Sequence, residues 1–135
     1  MIEYKNESGE VLHCVYRLKD CDNSRCDITH PQKYLQGAVM RMDKNKSFRN
    51  HKHITCERNT DKTHEAGVLI SGSLRVDFYN EDSKIMGSEI LGPGDCTITF
   101  GGGHKFFCLA DDTVMYEFKN GPYYGVDSDK EFIDE

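Results

Sequence analysis

The stretch Glu65-Ala-Gly-Val-Leu-Ile-Ser-Gly-Ser-Leu-Arg-Val-Asp-Phe-Tyr79 decides the fold class. Leu74, Val76 and Phe78 alternate with Arg75 and Asp77, the period of two by which a strand turns one face to a core and the other to water. Ser71-Gly72-Ser73 places a glycine where a tight turn needs one, so the stretch reads as strand, turn, strand. The same grammar extends in both directions. Upstream, Val11 to Leu18 and Gly37 to Asp43 read as strands. Downstream, Lys84 to Leu91 leads through the turn Leu91-Gly92-Pro93-Gly94-Asp95 into Cys96 to Phe100, then Lys105 to Ala110 and Thr113 to Lys119. In the last of these Val114, Tyr116 and Phe118 alternate with Met115, Glu117 and Lys119, and the Tyr116 face is expected to look inward. Helix signals are scarce. Many short strands at regular spacing predict an all-β fold, a closed barrel or a jelly-roll sandwich.

Histidines and one carboxylate punctuate this pattern. Side chains two apart in a strand project to the same face, so His51 and His53 would both enter a lumen while Lys52 points away. Glu65 opens the hairpin, and Gly101-Gly102-Gly103 carry the chain round to His104. Imidazoles with a carboxylate suit a divalent Fe, Mn, Ni or Zn ion and leave positions open for water or substrate. His13, His30 and His64 read as structural or solvated: His13 lies in a probable strand, His30 precedes Pro31, and His64 would face away from Glu65.

These residues resemble the cupin superfamily, whose first motif is an H-x-H pair, a Glu and then a Gly, and whose second is a Gly, a Pro-x-Gly turn and a His. His51-Lys52-His53, Glu65 with Gly72 seven residues on, Gly94-Asp95 and His104 carry the resemblance, over about residues 48–118. It implies a single domain, a double-stranded β-helix (jelly-roll) barrel over 1–135, with added strands in 1–47 and an acidic tail at 127–135. It also implies a metal held by His51, His53, Glu65 and His104. The chain departs from the pattern in three places, one of them a residue missing before His104, which shifts that loop. The residues Ile54 to His64 form an insertion, and the family's shorter spacing would select Glu57; Glu65 is preferred because it keeps the spacing to Gly72. Phe100 stands where the second motif has Pro.

A chain of 135 residues is one domain by length, able to bury about two thirds of its unfolded surface without disulfide staples. No apolar run is long enough to span a membrane, and the start Met-Ile-Glu-Tyr-Lys-Asn-Glu does not read as a signal peptide, so a cytoplasmic protein is expected. Its six cysteines, at 14, 21, 26, 56, 96 and 108, form no Cys-x2-Cys pair and are expected to stay reduced. Cys96 and Cys108 read as small core residues; Cys14, Cys21 and Cys26, with His13 and His30, make a weak zinc candidate against the alternative of a surface loop. A net charge of −6 disfavours binding to nucleic acid or anionic membrane. The tail Asp127 to Glu135 is either a solvated terminus or a short helix docking through Phe132 and Ile133.

A barrel of this type does not name a reaction. The ending Met115 to Lys130 resembles that of small cupins encoded among surface-polysaccharide and nucleotide-sugar genes, which implies a small polyhydroxylated or sugar-derived substrate. One reading is a metal-dependent enzyme in which the ion orients that substrate; Arg41, Arg49, Arg58 and Arg75 either meet a phosphate or carboxylate or lie on a solvated face, with Arg58, in the inserted loop, chosen among them, and Tyr116 is either an acid or hydroxyl donor or a core tyrosine. A second is a metal-free nucleotide-sugar isomerase or epimerase with His51 or His53 as base. A third is a non-catalytic cupin that binds a small ligand, and an Fe(II) dioxygenase stays open. A homodimer is expected from Val11 to Leu18, an apolar, β-prone segment outside the motif core that needs another sheet edge to cover it, the alternative being that the strand folds back on its own barrel.

Overall fold

A computed structural model of the chain describes residues 1–22 and 24–133. The fold is all-β and antiparallel. Ten strands run β1 (Ile2–Lys5), β2 (Val11–Tyr16), β3 (Arg25–Asp27), β4 (Ala38–Met40), β5 (Glu65–Ser71), β6 (Leu74–Tyr79), β7 (Ile85–Leu91), β8 (Cys96–Thr99), β9 (Gly103–Cys108) and β10 (Val114–Lys119). A 3-10 turn at Leu18–Asp20 and the single helical turn α1 (Val126–Asp129) complete the described elements. A five-stranded sheet has the order β1-β2-β8-β5-β10, a three-stranded sheet the order β7-β6-β9, and β3 and β4 form a ribbon.

The hairpin predicted over Glu65 to Tyr79 is β5 and β6, and Gly72 turns it at φ +82°. The two larger sheets share one apolar core of Val15, Leu69, Leu74, Val76, Phe78 and Leu91, all buried, so the alternating residues of β6 do face inward. A second cluster covers the other face of the five-stranded sheet. There Cys14, Tyr16, Cys96 and Ile98 pack against Cys21, Ile28 and the half-buried Leu35 and Val39, carried by the segment that contains β3 and β4.

Side chains tie β1 and β2 to the three-stranded sheet. Tyr4 Oη donates to Glu89 at 2.9 Å, and Arg17 bridges Glu89 at 2.7 Å and Asp95 at 2.9 Å. Asp95 in turn accepts from the Gly92 and Leu18 amides, which pins the Gly-Pro-Gly turn. On the opposite side, β9 and β10 are not neighbours in either sheet.

Four expectations need correction. No strand occurs between β4 and β5, so His51 and His53 lie on an irregular segment in which residues 41–63 are all exposed. An extended Lys-flanked His pair becomes a strand only if a neighbouring edge hydrogen-bonds it, and none does. Tyr116 is 61 % exposed with Val114 and Phe118, whereas Met115 packs into the shared core, so β10 presents the opposite face to the one expected. Cys108 is exposed. The strand β2 is paired on both sides, by β1 and β8, and so leaves no uncovered edge to exchange with a partner. The alternative in which this strand folds back on its own sheet is the one seen within the chain.

Candidate functional site at the open side of the sheets

Register builds the site. Across the five-stranded sheet Tyr4 lies opposite His13, His13 opposite Thr99, Thr99 opposite Glu65, and Glu65 opposite Lys119. Directly paired residues share a face, so these five side chains form one polar row over the shared core. From the facing sheet, His104 lies opposite Phe78 in the β6–β9 pair. Phe78 stacks at 4.8 Å on both Tyr4 and His13.

The centre of the row is an imidazole–carboxylate pair. His104 Nε2 stands 3.0 Å from Glu65 Oε1, and since a carboxylate only accepts, the imidazole donates from Nε2. His104 Nδ1 is buried with no hydrogen-bond partner among the described residues. Burial alone would raise the Glu65 carboxyl. The hydrogen bond and charge of His104, followed by Lys130 and Lys119, outweigh it and hold Glu65 below its ordinary value.

His13 behaves differently. Burial strips the imidazolium of water and pushes His13 down to about 4, against the opposing pull of its bond to the Tyr79 carbonyl. Its Nδ1 lies 3.0 Å from Thr99 Oγ1 and its Nε2 2.9 Å from Tyr79 O. The carbonyl can only accept, so Nε2 carries the proton and Nδ1 accepts from the Thr99 hydroxyl. It joins the two sheets at the floor of the site.

Glu65 and His104 line a cavity of about 750 Å³ with Thr99, Tyr79, Glu117 and the tail residues 129–133. That size holds a small polar metabolite. Lys119 Nζ contacts Asp129 Oδ2 at 2.7 Å, and both side chains are largely shielded.

The structure thus brings together two of the expected ligands, Glu65 and His104, and places the others apart. His51 and His53 adjoin one another, ring centroids 5.6 Å apart, on the exposed segment. Glu57, the alternative carboxylate, is on the same segment and accepts from the Asn59 amide. Among the described residues no three His, Cys, Asp or Glu side chains are grouped to hold a metal ion. As arranged, the donors do not fit a four-ligand set: two are spent on each other in a hydrogen bond and two sit on a separate surface segment.

Arg58 is exposed, bonds the Cys56 carbonyl at 3.3 Å and does not line the cavity. Nor does Tyr116, which is on the outer face. Among the histidines outside the expected set, His30 is exposed, and His64 is buried, accepting from the Leu35 amide. The Cys14, Cys21 and Cys26 candidate resolves into packing: the three belong to the outer core while His13 faces the opposite side of β2. None of the six cysteines is in a disulfide.

Sequence reasoning missed His13, Thr99, Tyr79, Lys119 and Lys130 as neighbours of the pair. They come from five separate segments, and only strand register puts them in one place. The alternation of His13 with Val15 was the one available signal that His13 shares a core-facing side. No protein-family model, curated protein or solved structure matches the chain.

Proposed function

We propose that the chain is a small jelly-roll enzyme of the cupin kind that moves a proton on a polyhydroxylated or sugar-derived substrate through the Glu65–His104 pair. The observation that carries the reading is the 3.0 Å contact between these two groups in the wall of a ligand-sized cavity. A carboxylate held ionised against an imidazole is a proton relay: Glu65 accepts a hydroxyl or carbon-bound proton, and His104 stabilises the charge that remains. The contact with His104 occupies Oε1 of Glu65, and the carboxylate's second oxygen, Oε2, is the acceptor offered to substrate. Thr99 and Tyr79 supply further polar wall.

The sugar-like substrate class is supported by the resemblance of the chain's ending to cupins of polysaccharide and nucleotide-sugar gene groups. The metal-dependent alternative requires His51 and His53 to join Glu65 and His104, and the same experiment separates the two. In D2O with a panel of keto-sugars and nucleotide-sugars, wild type should introduce deuterium at a carbon-bound position, and Glu65→Gln and His104→Gln should each abolish it. No exchange with any panel member overturns the reading. Exchange that is lost in His51→Ala and His53→Ala, together with a stoichiometric metal ion in the purified protein, transfers the function to the metal site.

A further inference from the structure

One wall of the cavity belongs to neither sheet. After Asn120 the chain turns at Gly121-Pro122, bends again at Gly125 with φ +100°, makes the turn α1, and lays residues 129–133 along the cavity. This wall lies on the side where β9 and β10 do not pair.

Its attachment is of an unusual kind. The described backbone hydrogen bonds of the segment are internal, Ser128 N to Gly125 O at 3.2 Å and Lys130 N to Val126 O at 2.9 Å. A single helical turn has almost no stability of its own. What ties it to the sheets is side-chain contact. Asp129 is clamped to Lys119 on β10 at 2.7 Å, with only 19 % and 13 % of the two side chains exposed. Ile133 seats against Gly103 on β9, so closely that a Cβ on that glycine would come within 2.5 Å of Ile133 Cδ1. One anchor is on β10 and the other on β9, the two strands that do not pair with each other. Between them, Lys130 adds positive charge that acts on Glu65, so the segment contributes to the site's electrostatics as well as its wall.

We propose that Val126–Ile133 is a strap that closes the cavity over Glu65 and His104, latched by Lys119–Asp129 and by Ile133 on Gly103, and that it opens as a unit to admit ligand. A segment that, among the described residues, is tied to the body by these side-chain contacts and by no ladder of backbone bonds sits at the low-stability end of the molecule, where lids are found. The inference rests on the cavity being the site, but its test reads access and not turnover.

The rate of carbethoxylation of each histidine by diethyl pyrocarbonate, followed by peptide mass spectrometry, measures that access. His30, His51 and His53 are exposed and act as references in the same molecule, and His13, fully buried, reports unfolding. Asp129→Asn should raise the His104 rate about five-fold relative to His51, the factor expected when loss of a partly shielded ion pair shifts an opening equilibrium. Exchanging the charges, Lys119→Asp with Asp129→Lys, should return the rate towards wild type. Ile133→Ser, which leaves the ion pair in place, should also raise it. If Asp129→Asn makes His13 reactive, that variant has unfolded and Ile133→Ser alone decides. An unchanged His104 rate in the folded variants overturns the strap. In that case intact isotope exchange would leave the proposed function standing, whereas raised access with no exchange would keep the strap and remove the function.

Discussion

Acid should destabilise this protein through one buried histidine well before its carboxylates titrate. His13 has no exposed surface, and its value lies near 4 instead of the ordinary 6.5. The sign follows from proton counting. Between about pH 6.5 and pH 4 the unfolded chain carries a proton on His13 that the folded chain refuses, so stability falls as pH drops through that window and the loss is complete below it. The full displacement corresponds to about 3 kcal/mol, and about 2 kcal/mol of it is lost between pH 7 and pH 5. That is a substantial part of a domain's usual stability of about 5–15 kcal/mol. Urea unfolding at pH 7 and pH 5, with wild type and His13→Gln, isolates the effect. The glutamine cannot titrate, so its loss between the two pH values should be smaller than that of wild type by about 2 kcal/mol, even though its stability at pH 7 is lower. His64 is also held below its ordinary value, by burial first and then by Lys33, and contributes equally to both proteins, so it cancels in the difference. Equal losses for the two proteins would refute the reasoning, because they would mean that His13 accepts its proton within the fold.

The remaining expectations concern packing and thiols. Phe78→Ala empties the centre of the shared core, where Phe78 has no exposed surface and stacks on Tyr4 and His13; it should cost about 3–5 kcal/mol in a denaturant titration. Gly72→Ala combines a φ of +82° with a Cβ only 2.6 Å from the Thr113 Cα, and should cost about 2 kcal/mol or more, read as a lowered thermal midpoint. A native thiol titration with a disulfide reagent should show fast reaction at the exposed Cys56 and Cys108 and slow reaction at Cys14 and Cys96. Burial pushes the latter two up to about 12 and about 11, which deprives them of thiolate. Under denaturing, non-reducing conditions all six should react.

Local pattern and tertiary placement divide cleanly in this molecule. The alternation of Leu74, Val76 and Phe78, the turn at Gly72 and the Gly92-Pro93-Gly94 turn depend on side-chain period and backbone freedom over a few residues, and they are legible in the sequence because nothing distant is needed to produce them. The spacing from Glu65 to Gly72 likewise singled out the carboxylate that stands beside His104, in preference to Glu57 on the exposed segment. What lay outside the sequence is everything that depends on a partner. Whether His51-Lys52-His53 becomes a strand turns on a neighbouring edge, and the fold provides none there. Which face of β10 is inner turns on where the three-stranded sheet lies, and it lies over Met115, leaving Tyr116 in solvent. The row from Tyr4 through His13, Thr99 and Glu65 to Lys119 is a product of register across five strands, since pairing adds residues from opposite ends of the chain that no local period can relate. The acidic tail shows the same division. Its residues permit either a solvated end or a docked one, and only the gap between β9 and β10, with Lys119 and Gly103 on its two rims, draws Asp129 and Ile133 onto the site.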